Sequence, residues 1–195
     1  MAMGNREDLL AGARRCLMEK GYAGTTARDI SAASGTSLAS IGYHFGSTKA
    51  LLNAALYEAM EEWGSELEQA LAGEASSGAT PMQRFEETWV RIIESYVRLR
   101  PLWAIQFELI AQMDRMPELR ESFANANRQA RLGLAALFDG LDPVADEKKA
   151  LAVGAFHQAL LGGMAAQWLV DPEGAPSAQD LVEGLRTITA GLAQA

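Results

Sequence analysis

Apolar residues recur at steps of three and four along most of the chain, so it reads as a succession of amphipathic helices. The first is predicted over residues 6–20, where Leu9, Leu10, Ala13, Cys16 and Leu17 share a face and Gly21 stops the helix. A short second helix starts at Thr25 or Thr26, whose hydroxyls suit an N-cap, and it carries Ala27, Ile30 and Ala33 on one side. Ser34-Gly35-Thr36 breaks it, because Gly35 is free to take the positive φ that ends a helix. Ser37 is the next N-cap, and Leu38, Ile41 and Phe45 follow at helical spacing, with Ile41 and Phe45 directed to the core. Two helices this short around a tight glycine-containing turn form a helix-turn-helix, whose second helix enters the DNA major groove. DNA binding is therefore the activity to expect.

The rest of the chain continues the helical pattern. From Thr48 to about Leu71 a long segment carries Leu52, Leu56, Met60, Trp63, Leu67 and Leu71, and ties the front module to the body. Residues 73–80, GEASSGAT, read as an exposed loop. Thr80-Pro81 opens a helix with the stripe Phe85, Trp89, Ile92, Tyr96 and Leu99. Pro101 separates it from a helix at about 101–114 that is apolar on two sides, through Leu102, Ile105, Leu109 and Met113 and through Trp103, Phe107 and Ile110, so it is expected to be largely buried. Pro117 starts a helix to about Phe138 with Leu119, Phe123, Ala126, Ala130, Leu134 and Leu137 inward, and the turn DGLDPVAD ends it. Two final helices lie near 146–170 and 177–193, split by DPEGAP. No strand-like alternation exceeds four residues and no segment repeats. The pattern predicts an all-α chain of about nine helices, divided into a three-helix helix-turn-helix DNA-binding domain at 1–47 and a helical domain at 48–195.

Glycine is concentrated in the last two helices, at Gly154, Gly162, Gly163, Gly184 and Gly191. Each costs about 1 kcal/mol relative to alanine inside a helix, which close approach of another helix would offset. That helix belongs either to a second subunit, in a four-helix dimer seam, or to the same one.

Composition narrows the classes. With 195 residues, 21.0 kDa and 49% hydrophobic residues the chain has ample material for a core. No window approaches the eighteen or so uninterrupted apolar residues of a membrane span, and the start MAMGNRED lacks the apolar run of a signal peptide, so a cytoplasmic protein without a membrane partner is expected. The single Cys16 cannot form an internal disulfide and reads as a small core residue. A net charge of −8 argues against a nucleic-acid partner until its distribution is considered. Residues 1–52 hold Arg6, Arg14, Arg15, Lys20, Arg28 and Lys49 against Glu7, Asp8, Glu19 and Asp29, a local excess of positive charge, and screening over about 10 Å makes the local surface the one DNA would feel. Enzymatic chemistry finds little support. His44 and His157 are the only histidines, and they form no metal-ligand cluster. There is no glycine-rich phosphate loop and no Cys-His or Ser-His motif, so neither an enzyme nor a cofactor is expected. The alternatives are a helical binding protein of the same fold without operator binding and, behind it, an all-α enzyme.

The front module resembles the DNA-binding domain of TetR-family transcriptional regulators, through Gly21-Tyr22, Thr25-Thr26, Asp29-Ile30, Gly35, Ser37, Tyr43-His44-Phe45 and Leu51-Leu52 at the family's spacing over roughly residues 5–55. Two positions depart from the pattern: Gly42 stands where the family often has tyrosine, and Thr48 stands where it usually has a phosphate-contacting lysine, with Lys49 next to it. The resemblance implies that Thr26 and Arg28 contact phosphates or base edges, and that Ser37, Leu38, Ala39 and Ser40 read bases. It further implies that Tyr43 and His44 clamp the backbone, and that Thr48 and Lys49 hold it from the next helix. It implies a C-terminal ligand-binding and dimerisation domain whose helices near 146–170 and 177–193 pair between subunits. A small-molecule effector would sit among the body's aromatic and methionine side chains. The candidates are Trp63, Trp89, Tyr96, Trp103, Phe107, Met113, Phe123 and Met164, with Gln106, Asn127 and His157 as polar anchors; Phe85, Gln112, Met116, Phe156, Gln158 and Trp168 are further candidates. A ligand that moves the helix at 101–114 against the one at 48–71 would rotate the DNA module and release a palindromic double-stranded operator, the action of a repressor.

Overall fold

A computed structural model describes residues 2–73, 79–115 and 117–194. Within them lie α1 (Ala2–Gly24), α2 (Ala27–Ser34), α3 (Leu38–Phe45), α4 (Thr48–Gly73), α5 (Pro81–Arg98), α6 (Arg100–Gln112) with a 3-10 turn at Met113–Arg115, α7 (Pro117–Asp139), α8 (Glu147–Val170) and α9 (Ala178–Leu192). The described residues contain no strand, as the three- and four-residue periodicity required. Most of the expected loop at 73–80 lies outside the described residues, as do Met116 and the side chains of Leu71, Gln112 and Leu119.

The chain divides into two compact units, Met1–Glu66 with Pro101–Leu119, and Leu67–Arg100 with Arg120–Ala195. In the first unit α1 packs on α2 and α3, with Leu9, Ala13, Leu17 and Ile30 fully buried. Gly21 interrupts α1 as its position suggested, at φ 73°, but helical residues resume to Gly24. Gly12 makes the α1–α2 crossing possible: a Cβ there would stand 2.8 Å from Cβ of Ser34. Leu51, Leu52, Ala55 and Leu56 of α4 and Leu102, Ile105 and Leu109 of α6 are buried in the same unit. The second apolar side of α6 is less covered than expected, since Ile110 is 55% exposed. Trp103 does meet a partner, its ring lying edge-on to Trp63 of α4 at 5.1 Å. The Tyr22 hydroxyl donates to Asn53 Oδ1 at 2.7 Å and so joins the end of α1 to α4.

In the second unit α5 packs against α8 and α9. Thr80 caps α5 through a reciprocal box with Gln83, and Pro81 occupies the first turn, where its missing N–H costs nothing. Trp89 and Ile92 are fully buried, and the Tyr96 hydroxyl donates to the carbonyl of Leu161 at 3.0 Å. Burial pushes that phenol far above its ordinary range. Tyr96→Phe keeps the ring and removes the donor, so it is expected to lower unfolding free energy by about 1 kcal/mol in urea titrations.

The buried face of α7 differs from the predicted stripe. Ala130, expected inward, is exposed, whereas Ala135 is fully buried. At about 100° per residue Arg131, Ala135 and Phe138 lie on another side of the helix. The cause is Gly154 of α8: a Cβ there would fall on the backbone carbonyl of Arg131, so α8 crosses α7 at backbone contact. A crossing this close requires small residues, and its face on α7 is marked by an alanine instead of a large apolar side chain. Of the two readings of the α8 glycines, Gly154 takes the one in which the neighbour is the same chain.

Candidate nucleic-acid interface

Local sequence dictates the helix-turn-helix. Thr26, extended at φ −106°, caps α2; its hydroxyl accepts from the Asp29 N–H, and Asp29 accepts in return from the Thr26 N–H at 2.9 Å. Thr25 has a different task, donating its hydroxyl to the Gly21 carbonyl at 2.7 Å. Lys20 pairs with Asp29, and that ion pair together with the Thr26 bonds holds the carboxyl well below the usual carboxylate range. A carboxyl lowered by folding favours the folded state above its unfolded pKa, and the contribution fades as pH falls below about 4. Thr26→Ala removes the cap and is expected to cost about 1 kcal/mol, measurable as a lower thermal midpoint.

Gly35 ends α2 in the left-handed region at φ 68°, where a side chain would be strained. Ser31 donates to the Thr36 carbonyl, and the hydroxyls of Ser34 and Thr36 lie 2.7 Å apart, fixing the turn. Ser37 then caps α3, accepting from the Ser40 N–H at 3.3 Å, while the Ser47 hydroxyl accepts from the Ala50 N–H at 3.1 Å at the start of α4.

All the sequence-predicted DNA-facing residues fall within one compact unit. Thr26 and Arg28 are exposed on α2 and its cap. Ser37, Leu38, Ala39 and Tyr43 are exposed on α3 and its cap; Ser40, His44 and Thr48 are half-buried, and Lys49 is exposed on α4. Tyr43 is 82% exposed and lies edge-on to His44, ring centroids 4.8 Å apart. Ile41 is buried as expected. Phe45, also expected in the core, is only half-buried, with the Arg6 guanidinium 5.3 Å from its ring centroid.

The module's basic excess is partly consumed within the fold. Arg14 pairs with Glu62, Arg15 donates to the Ala33 carbonyl at the end of α2, Lys20 pairs with Asp29, and Arg6 lies over Phe45. Among the described residues, Arg28 and Lys49 are the module's cations without such a partner, and they flank the recognition helix in sequence. The bracing roles of Gly12, Arg15 and Lys20 have no sequence signal, because each depends on a residue brought near only by folding.

The expected effector residues are distributed over both units. Trp63, Trp103, Gln106, Phe107 and Met113 belong to the first; Trp89, Tyr96, Phe123, Asn127, His157 and Met164 belong to the second. In the second, Phe138 stacks on His157 at 4.3 Å and lies 6.3 Å from Trp89, while His157 Nε2 is 2.7 Å from Asp139 Oδ2. The indole N–H of Trp89 and Nδ1 of His157 are buried without a hydrogen-bond partner. Asn127 is exposed and accepts from Gln158 at 3.1 Å. Among the described residues no three His, Cys, Asp or Glu side chains gather as a metal-ion site, and no helix is long and apolar enough to cross a membrane.

A capped short helix, a glycine turn, a second capped helix with an exposed tyrosine and unpaired flanking cations define a helix-turn-helix module. Residues 9–55 match the tetR family of bacterial regulatory proteins. They carry the N-terminal domain of that family, and the described helices follow the fold of solved structures assigned to it. It is 45% identical over 47 residues to the HTH-type transcriptional repressor AcnR of Corynebacterium efficiens; the stretch is 24% of this chain and about a quarter, 25%, of that repressor. A structure assigned to the TetR-family transcriptional regulators, from Mesorhizobium loti MAFF303099, has a TM-score of 0.70 at 18% identity, covering 94% of this chain and 92% of that one. The multidrug binding protein EbrR complexed with imidazole has a TM-score of 0.65 at 25% identity, covering 92% and 93%.

Proposed function

We propose that the chain is a homodimeric repressor that binds a palindromic double-stranded operator through α2, α3 and the start of α4, and leaves it when a small molecule binds the helical body. The observation that carries the reading is the recognition face itself: Tyr43 stands 82% exposed on α3, and Arg28 and Lys49 remain unpaired on a chain whose net charge is −8. An acidic protein gains nothing in stability from exposing these groups, whereas a phosphate backbone gives each a partner. The likeness to AcnR, a transcriptional repressor, supports the direction of control.

Dimerisation through α8 and α9 is supported by their uncovered apolar side chains, Phe156 at 52%, Ile188 at 61% and Leu192 at 72% exposure, and by Gly162, Gly163, Gly184 and Gly191, beside which the chain leaves open space. Coupling to a ligand is supported by α6, which shares the compact unit of the DNA module: Trp103 meets Trp63 of α4, and Asn53 of α4 meets Tyr22 of α1. A ligand that shifts α6 thereby acts on the recognition helices, and about 1.4 kcal/mol of differential binding suffices for a tenfold loss of DNA affinity. EbrR, described as a multidrug binding protein, supports a body that accepts a small organic molecule. Tyr43→Ala tests the interface: gel shifts with the DNA flanking the chain's own gene are expected to weaken while size-exclusion elution stays that of the dimer, and an unchanged gel-shift affinity would refute the clamp.

A further inference from the structure

We propose that α3 reads its half-site through the C5 methyl groups of thymine, with Leu38 as the specificity-determining residue; the inference rests on the DNA-binding reading above. Leu38 opens α3 and leaves 49% of its surface to solvent, and Ala39 beside it is exposed as well. From Ser37 to Phe45 the sequence holds no Arg, Lys, Asn, Gln, Asp or Glu. The groups that pair bidentately with guanine or adenine, or accept from the cytosine amino group, are therefore absent from the helix that enters the groove. The two serines are held to the cap: Ser37 Oγ accepts from the Ser40 N–H and lies 2.9 Å from Ser40 Oγ. Gly42, one turn on, is exposed with open space beside it and offers backbone alone at that position, while Tyr43 and His44 are assigned to the DNA backbone. What α3 presents at its first turn is apolar, and thymine alone among the bases carries a methyl group on the major-groove edge. Arg28 and Lys49 stand on other helices, where they supply charge without adding a hydrogen-bond code to α3.

The probe is the set of duplexes that the purified full-length chain enriches from a randomised library. Enriched half-sites are expected to carry thymine at fixed positions, and replacing those thymines by deoxyuridine, which lacks only the methyl, is expected to weaken binding about fourfold per methyl. Leu38→Ala, a change at an exposed position, should remove most of that discrimination while thermal unfolding stays the same; substituting 7-deazaguanine for guanine at the α3-facing positions should change nothing. Fixed positions without thymine, equal affinity for thymine and deoxyuridine duplexes, or a Leu38→Ala chain that discriminates as well as the parent would overturn the proposal, the last by tracing the effect to DNA shape. Each of these leaves DNA binding standing. Failure to enrich any duplex overturns both readings.

Discussion

Gly154→Ala is expected to lower the unfolding free energy by about 3 kcal/mol, and with it the thermal midpoint by roughly 6–12 °C for a chain of this size. The added methyl has no space, because its position coincides with the backbone carbonyl of Arg131 in α7, and a backbone cannot rotate aside as a flexible side chain can. Either α8 lifts from α7, uncovering Ala135, or both helices bend. Gly133→Ala supplies the contrast. Gly133 lies exposed on α7 with nothing near the new methyl, so the same substitution gains helix propensity and should stabilise by up to about 1 kcal/mol. Thermal unfolding followed by circular dichroism separates the two; equal midpoints would show that the crossing is looser than the geometry requires.

Removing both unpaired cations, Arg28→Ala with Lys49→Ala, is expected to reduce DNA affinity about a hundredfold and to flatten the dependence of log K on log salt by about 2 per protomer. Arg14→Ala is the matched control. It deletes the same charge from the same module, but that charge is neutralised by Glu62, so the salt slope should hardly move. Fluorescence anisotropy across a salt series distinguishes these outcomes. If Arg14→Ala cost as much as the double change, net charge and not the position of the charges would set the affinity.

The parts of the fold legible in the sequence are those that local chemistry decides. Thr26, Ser37 and Thr80 cap because a short side-chain oxygen reaches the N–H three residues on, and Gly35 ends α2 because it alone tolerates the left-handed turn. The α5 stripe from Trp89 to Tyr96 was readable because large apolar side chains fill its contacts. The crossing of α7 and α8 was not readable, since helices that touch at backbone are marked by glycine and alanine, and periodicity among large residues pointed to Ala130 instead. Charge behaved likewise. A count over residues 1–52 gives a basic module, but whether a cation faces DNA or braces the fold depends on the acid or carbonyl that tertiary structure brings beside it. Lys20 finds Asp29, and Arg15 finds the end of α2. Arg28 was singled out by its place in the motif, and the fold leaves it free for that role.

The most direct test of DNA binding by the α2–α3 face is to capture genomic fragments on the purified chain and footprint those retained. Operator binding predicts protection of a palindrome whose half-site centres lie about 34–36 Å apart, one helical turn, and loss of that protection in the Arg28→Ala, Lys49→Ala chain. Retained fragments without a protected palindrome, or protection that survives removal of both cations, would contradict it.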